Sequence, residues 1–443
     1  MKKPANSREK GRLNPQRPAF KNSELGPIPA DWEVKRLGEI ASVITKGTTP
    51  TSIGCGFERY GINFIKAESI SDNGVFIAKM FAHISERTNT LLSRSVLKAG
   101  DYLFSIAGVL GRVAFVPENV LPANTNQALA IIRLVEKSQI DRKYLFFALQ
   151  SAYIKNRIQE TNVAAAQANL SLQDVSDFHV AFPPLFEQRH IAAALSDADA
   201  WIESLDKLIE KKKLVKQGAM QALLSGKTRL PGFSGEWGAE ALGDEFDFLR
   251  TNTLSRACLG ESGRIADVHY GDVLVRYGNI LDFSAEKPPF IDDEYECRSI
   301  GDYLQDGDLV VADTAEDETV GKAVEIQNLG SNQAVAGLHT VACRPKHQFA
   351  PGWLGHFINS PSFHDQLLPL ISGTKVSSIS KENLKTVFVR RPPLAEQAAI
   401  VSVLSEMDAE LASLSREKAK AEQIKQGMMQ ELLTGRVRLA GGA

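Results

Sequence analysis

Long apolar runs are missing from this chain of 443 residues. None reaches the ~18 residues that a membrane-crossing helix requires, so a span is excluded. The opening stretch, MKKPANSREKGRLNPQRPAF, has basic residues but no apolar segment, which excludes a secretory signal. Cysteine is scarce as well. Cys55, Cys258, Cys297 and Cys343 stand far apart with no CxxC pair, which argues against a zinc site and for a reducing compartment. Neither HExxH nor GxSxG occurs, and no GxGxxG follows a strand. The Asn-Pro-Pro-aromatic signature of amino-methyltransferases is absent too, since the two Pro-Pro-Leu stretches follow Phe182 and Arg391. A phosphate loop ending at GKT (226–228) would need glycine at 221, where Gln221 stands, and a strand where a helix ends. His356 and His364 read as packing or surface residues, and Asp313, Glu316, Asp317 and Glu318 as an exposed acidic loop. Nothing in the chain asks for a cofactor.

What the chain does contain is a duplication. Residues 183–230, beginning PPLFEQRHI, recur without a gap at 392–439, beginning PPLAEQAAI, with 23 of 48 positions identical at an offset of 209. Each copy reads as one long helix of about 37 residues, roughly 55 Å at 1.5 Å per residue. Pro183-Pro184 and Pro392-Pro393 stop the preceding chain and enter at a first turn. Glu187 and Glu396 then sit in that turn, favourable for the helix dipole, and Gly226 and Gly435 sit where the helices end. Ile191, Leu195, Ala198, Ile202, Leu205 and Ile209 form an apolar stripe, as do Ile400, Leu404, Met407, Leu411 and Leu414. Lys425 and the Lys211–Lys213 run break that stripe midway.

The duplication extends outward, for Trp32 through Leu37-Gly38 is echoed by Trp237 through Leu242-Gly243, and NLSLQDVSDFHVAF (169–182) by SISKENLKTVFVRR (378–391). Between these shared ends the two interiors barely resemble each other: the frame is duplicated and the contents have diverged. Short Val-, Ile- and Phe-rich runs such as YLFSI, VAFV, DVLVRY and DLVVADT lie between turn signals and read as strands. Segments 141–160 and WLGHFINSPSFHDQLLPL have helical spacing. Each interior is therefore an α+β domain of about 150 residues with a mixed sheet. The predicted division is a disordered basic extension (1–28), a first domain (29–182), a long helix (183–230), a linker with the second domain (231–391), and a second long helix (392–443).

PPLxEQxxI opening each helix, and KQGxMQxLL[ST]G[KR]xRL closing it at Lys216–Leu230 and Lys425–Leu439, resemble the conserved regions of specificity (S) subunits of type I restriction–modification enzymes. Segments ITKGTTPTS, HYGDVLVRYGNI and LKAGDYLFSIAG are similar in style to that family's target-recognition domains. The resemblance covers everything after residue 28. It implies two pseudo-twofold-related recognition domains, each reading half of a split duplex DNA site, held apart by two antiparallel helices forming a coiled-coil spacer. Rods of this length would suit half-sites about one helical turn of DNA apart, roughly 34–36 Å. The resemblance also implies a chain that catalyses nothing. Two methyltransferase (M) subunits would methylate adenine N6 with S-adenosylmethionine, and restriction/translocase (R) subunits would use ATP and Mg. The location implied is the cytoplasm.

Charge complicates this picture. Segment 30–182 holds 16 Lys/Arg against 14 Asp/Glu, a balance of +2, while 235–391 holds 14 against 24, or −10. Binding driven by phosphate neutralisation favours a basic surface. A second reading is therefore a coiled-coil scaffold carrying two non-DNA modules, which salt-dependent DNA affinity would separate from the first. For base readout, polar and basic loop residues are the candidates, since Arg suits guanine and Asn or Gln suits adenine. In the first domain these are Lys46, Thr48, Thr49, Arg59, Asn63, Lys66, Arg112, Asn124, Asn126 and Gln127. In the second they are Arg250, Asn252, Arg256, His269, Tyr270, Arg276 and His339.

Overall fold

A computed structural model of the protein describes residues 19–136, 138–163, 169–295, 300–373 and 375–439. The chain forms two compact units, one comprising residues up to Ser204 together with those from Lys418 onward, the other comprising Leu205–Glu417. The long helices run Leu185–Leu224 and Leu394–Leu432, 40 and 39 residues, slightly longer than the spacing predicts. Each begins immediately after its proline pair, and Gly226 and Gly435 follow their ends in the left-handed conformation that a residue with a Cβ avoids. Each unit therefore takes the beginning of one helix and the end of the other.

In the first unit the strands are β1 (Ala41–Lys46), β2 (Ile62–Ile65), β3 (Ala82–Ile84), β4 (Tyr102–Ser105), β5 (Val113–Phe115), β6 (Ala123–Thr125) and β7 (Leu129–Leu134). An antiparallel sheet has the order β1-β7-β4-β5, and a smaller one the order β3-β2-β6, in which β2 and β6 run parallel. In the second unit the strands are β8 (Phe246–Phe248), β9 (Ile265–Val268), β10 (Phe290–Ile291), β11 (Leu309–Ala312), β12 (Ala323–Gln327), β13 (Gln333–Ala336) and β14 (Thr340–Pro345). Its larger sheet runs β8-β14-β11-β12, extended by Ile280–Asp282, and its smaller sheet again contains a parallel pair, β9 with β13. The two interiors thus share a strand plan that their sequences do not display.

One turn recurs in both plans. Leu97-Lys98-Ala99-Gly100-Asp101 and Leu304-Gln305-Asp306-Gly307-Asp308 each place glycine at φ near +90° and aspartate just before a central strand. Asp101 accepts the Lys98 N–H at 2.8 Å and both forks of Arg133, at 2.7 and 2.6 Å; Asp308 does the same with Gln305 and Arg344. Both aspartates are buried, so each arginine is held by a two-point contact to the sheet interior.

The shared ends close each unit. Strand Glu33–Arg36 pairs with His179–Phe182, and Gly238–Ala241 pairs with Phe388–Arg391. Buried Leu37 and Leu242 donate their N–H groups to Phe178 and Val387. The apolar helix positions complete the cores: Ile191 and Leu195 join Leu432 and Leu433 in the first unit, and Leu223 and Leu224 join Ile400 and Leu404 in the second.

The extension expected over 1–28 lies partly outside the described residues, and its last part is ordered. Phe20–Ser23 pairs with Gly26–Pro29, because the Ser23 hydroxyl ties the turn through Leu25 and Gly26 and because Ile28 is buried. Cys297 lies outside the described residues. No helix among the described residues is long and apolar enough to cross a membrane.

Candidate nucleic-acid interface

In each unit a clamp fixes the α+β domain to the long helices of that unit. Glu187 is buried, accepts the Trp32 indole N–H at 3.0 Å and takes two bonds from Arg438, at 2.9 and 2.6 Å. Arg438 also grips Asp31 in a bidentate pair at 2.8 Å, which holds that carboxyl below its usual range. In the second unit the buried Glu396 accepts Trp237 at 3.1 Å and both forks of Arg229. Beside each glutamate a buried glutamine accepts a loop N–H, Gln188 from Asp141 and Gln397 from Ala350, both near 2.8 Å. Sequence reasoning treated the glutamates as dipole-favouring only. Identical charged residues at an offset of 209 were the available signal for these clamps.

Lys425 and Lys212, which interrupt the apolar stripe, and Lys216 beside them have a role. Lys216 pairs with Asp408, and Lys425 with Asp199. These are the same two repeat positions with partners exchanged between copies. Lys212 adds a pair with Glu410 at 2.6 Å. In the second unit the partners of Lys212 and Lys216 descend as the lysines ascend, so the helix segments there run antiparallel.

The candidate base readers gather mainly where each parallel strand pair ends. In the first unit Ile65 is in register with Thr125, and the next residues, Lys66 and Asn126, emerge together. The Gly47 N–H donates to the Asn126 carbonyl at 3.1 Å, and a Cβ on Gly47 would lie 1.8 Å from the Thr125 oxygen, so only glycine fits. That approach brings Lys46, Thr48 and Thr49 to the same edge. Thr49 donates to Gln127, and Thr48 accepts from Arg94, which sequence reasoning missed. Arg112 adjoins through the Ala67 carbonyl at 3.4 Å, its Nε bound to Asp72 at 2.7 Å. Arg59 sits on the loop before β2, against the Tyr60 ring.

Two candidates of this unit are corrected. Asn124 is fully buried in strand β6, where it bonds Ser95, Asn89 and the Leu92 carbonyl and so has no capacity left for a base. Asn63 is within β2 and donates to the Val120 carbonyl at 2.7 Å. Both are asparagines next to turns, where a surface role and a pinning role look alike in sequence.

In the second unit Val268 is in register with Ala336, and His269 and Gly337 follow. Asn252 ties the second edge as Gly47 ties the first, one residue out of step: its N–H donates to the Ala336 carbonyl at 3.0 Å. Its side chain is buried and bonds Asp267 at 2.6 Å and the same carbonyl at 3.2 Å, which corrects its assignment as a reader. His269 accepts the Gly271 N–H and caps the helix Tyr270–Val275; burial first, and then Arg256, push its pKa down. Tyr270 stands edge-on to His339, whose Nδ1 lies 3.7 Å from Asp313. Arg250 and Arg256 are exposed at this edge. Arg276 is at the far end of that helix, bonded to the Lys287 carbonyl at 2.8 Å.

Asp267 is the unusual member. It is fully buried, its Oδ1 has no partner, and a Cβ on Gly337 would lie 2.2 Å from that oxygen. Burial raises its pKa to about 6. Among the described residues no three His, Cys, Asp or Glu side chains are placed to hold a metal ion.

The geometry is thus a duplicated frame with a buried Glu–Trp–Arg clamp and a polar edge in each unit. Residues 29–213 match the family model of the type I restriction modification DNA specificity domain. The chain is 26% identical over 442 residues to the "Putative type I restriction enzyme MjaX specificity subunit" of Methanocaldococcus jannaschii, covering 95% of this chain and 97% of that one. It is 25% identical over 218 residues to the EcoBI type I restriction enzyme specificity subunit of Escherichia coli, or 48% of this chain and 44% of that one. In fold it is similar to a chain solved under the description "Structural basis underlying complex assembly and conformational transition of the type I R-M system". The TM-score is 0.63 and the identity 20%, with 93% and 99% of the two chains covered. The resemblance to specificity subunits carried by the helix motifs is thereby borne out.

Proposed function

We propose that this chain is the DNA specificity subunit of a type I restriction–modification complex. Each unit reads one half of a split duplex site, and the chain directs partner subunits there without catalysing a reaction itself. The observation that carries this reading is the shared strand plan ending in two different polar edges on a duplicated frame. A common scaffold with dissimilar edges suits two half-sites of different sequence. The domain division read from the sequence is kept for 29–443, and the paired strands of 20–29 are added to the first domain. The partners are double-stranded DNA, two methyltransferase subunits and restriction/translocase subunits. S-adenosylmethionine, ATP and Mg belong to those subunits, and the assembly works in the cytoplasm.

Co-expression with the methyltransferase subunit, followed by long-read mapping of modified adenines, tests this. The expected result is a split motif methylated on both strands, with DNA affinity falling as salt rises. A stable complex that methylates nothing and shows no salt-dependent duplex binding would sink it in favour of the scaffold reading.

A further inference from the structure

The second domain is acidic, at −10 over 235–391, although phosphate-bound proteins are ordinarily basic. The segment Arg250–Arg256, RTNTLSR, shows what some of that acid does. Its middle is pinned. Asn252 is buried, binds Asp267 and the Ala336 carbonyl, and accepts the Leu254 N–H at 2.9 Å, with Leu254 itself buried. An arginine emerges on either side of this pin. Asp302 takes two of the five N–H groups of Arg250, at 3.1 and 2.7 Å, and also the Arg250 backbone N–H at 2.8 Å. Asp272, in the first turn of the helix that His269 caps and with a side chain only 9% exposed, holds Arg256. The two arginine side chains are nevertheless 77% and 56% exposed.

We propose that Arg250 and Arg256 are the specificity-determining residues of the second unit, each presenting a carboxylate-braced guanidinium to a guanine in the major groove of the half-site this unit reads. Asn252, Asp272 and Asp302 are positioning residues. The proposal rests on the DNA-recognition reading above. Three arguments carry it. Guanine O6 and N7 are matched by a two-point guanidinium contact, and a brace fixes the plane before contact, which lowers the ordering cost of binding. The braces cancel each arginine's charge locally, so the edge attracts phosphates weakly and favours a base donor–acceptor match. Two neighbouring arginines are engaged within the fold: Arg344 grips Asp308 in the sheet, and Arg276 binds a backbone carbonyl. The same place in the first unit carries Lys46, Thr48 and Thr49, with no carboxylate brace in the bonds those residues make.

The test maps methylated motifs for the whole chain co-expressed with its methyltransferase subunit, comparing the parent with Arg250→Ala, Arg256→Ala, Arg256→Lys and Asp272→Asn. The parent motif is expected to contain a guanine in the half belonging to this unit. Each Arg→Ala change should relax one guanine position there by about 5- to 150-fold, corresponding to about 1–3 kcal/mol, with the other half unchanged. Arg256→Lys keeps the charge but loses the two-point geometry, so it should relax the same position; Asp272→Asn should do so more weakly. If Arg256→Ala does not assemble, Arg256→Lys and Arg250→Ala decide. Unchanged motifs, a uniform loss over both halves, or a parent motif without guanine would overturn the proposal while leaving DNA recognition standing. An assembled parent complex that methylates nothing would overturn both.

Discussion

Glu187 and Glu396 are carboxylates taken out of water at the starts of long helices, and such burial costs several kcal/mol per ion unless hydrogen bonds offset it. Here one indole and one forked guanidinium supply three bonds to each. Removing the guanidinium leaves the carboxylate buried and poorly paired, so Arg438→Ala is expected to destabilise the first unit by about 3 kcal/mol. Arg229→Ala should also destabilise the second unit, and thermal unfolding of each variant measures the loss. Asp267 behaves in the opposite sense. Its folded-state pKa is raised to about 6, so the fold prefers the protonated acid. The stabilisation is complete below the unfolded value near 4 and is lost as pH rises through 6. Asp267→Asn keeps a carbonyl to accept from Asn252 without the charge. It should raise stability at pH 8 by about 2 kcal/mol, with the gain disappearing toward pH 4 in denaturation curves.

Among the elements, the helices were the most legible part of the sequence, because a proline pair, a 3–4 apolar spacing and a terminal glycine each report directly on helix geometry. Lys425, with the Lys211–Lys213 run, looked like a fault in the stripe. Lys425 and its counterpart Lys216 form an ion-paired edge, which a single-helix pattern cannot show because the partner lies about 200 residues away. These pairs keep exposed aspartates, so Lys216→Met should change stability by less than about 1 kcal/mol. Leu404→Ala, at a fully buried position, should cost about 2–5 kcal/mol. Urea unfolding of the two variants side by side decides whether packing or charge dominates the helix contacts. The strand plan was legible only as strands. Pairing of β2 with β6 and of β9 with β13 depends on contacts far apart in sequence, where no local pattern reports the partner.

For the whole molecule, the duplication was plain in the shared ends and hidden in the interiors, where the strand plan repeats while the residues at the two edges differ. The site list was accordingly partial. The edges contain Lys46, Thr48, Thr49, Lys66, Asn126 and Gln127 in one unit and Arg250, Arg256, His269, Tyr270 and His339 in the other. Asn124 and Asn252 matched the expected chemistry but are consumed in holding those edges up. Exchanging residues 30–182 for the corresponding domain of a relative is expected to change half of the methylated motif and leave the other half as it was. Motif mapping reads this directly, and a change in both halves would contradict modular reading.

The Glu187 clamp also bears on the order in which the chain is made. Its arginine is 251 residues downstream of its glutamate, whereas Arg229 and Glu396 are separated by 167 residues and both precede Arg438. At synthesis rates of roughly 5–20 residues per second, Glu187 waits roughly 10–50 s for Arg438. The unit whose domain is translated first is thus the last to be closed. A ribosome that stops between positions 417 and 438 leaves the earlier-made domain unfastened and the later-made one complete.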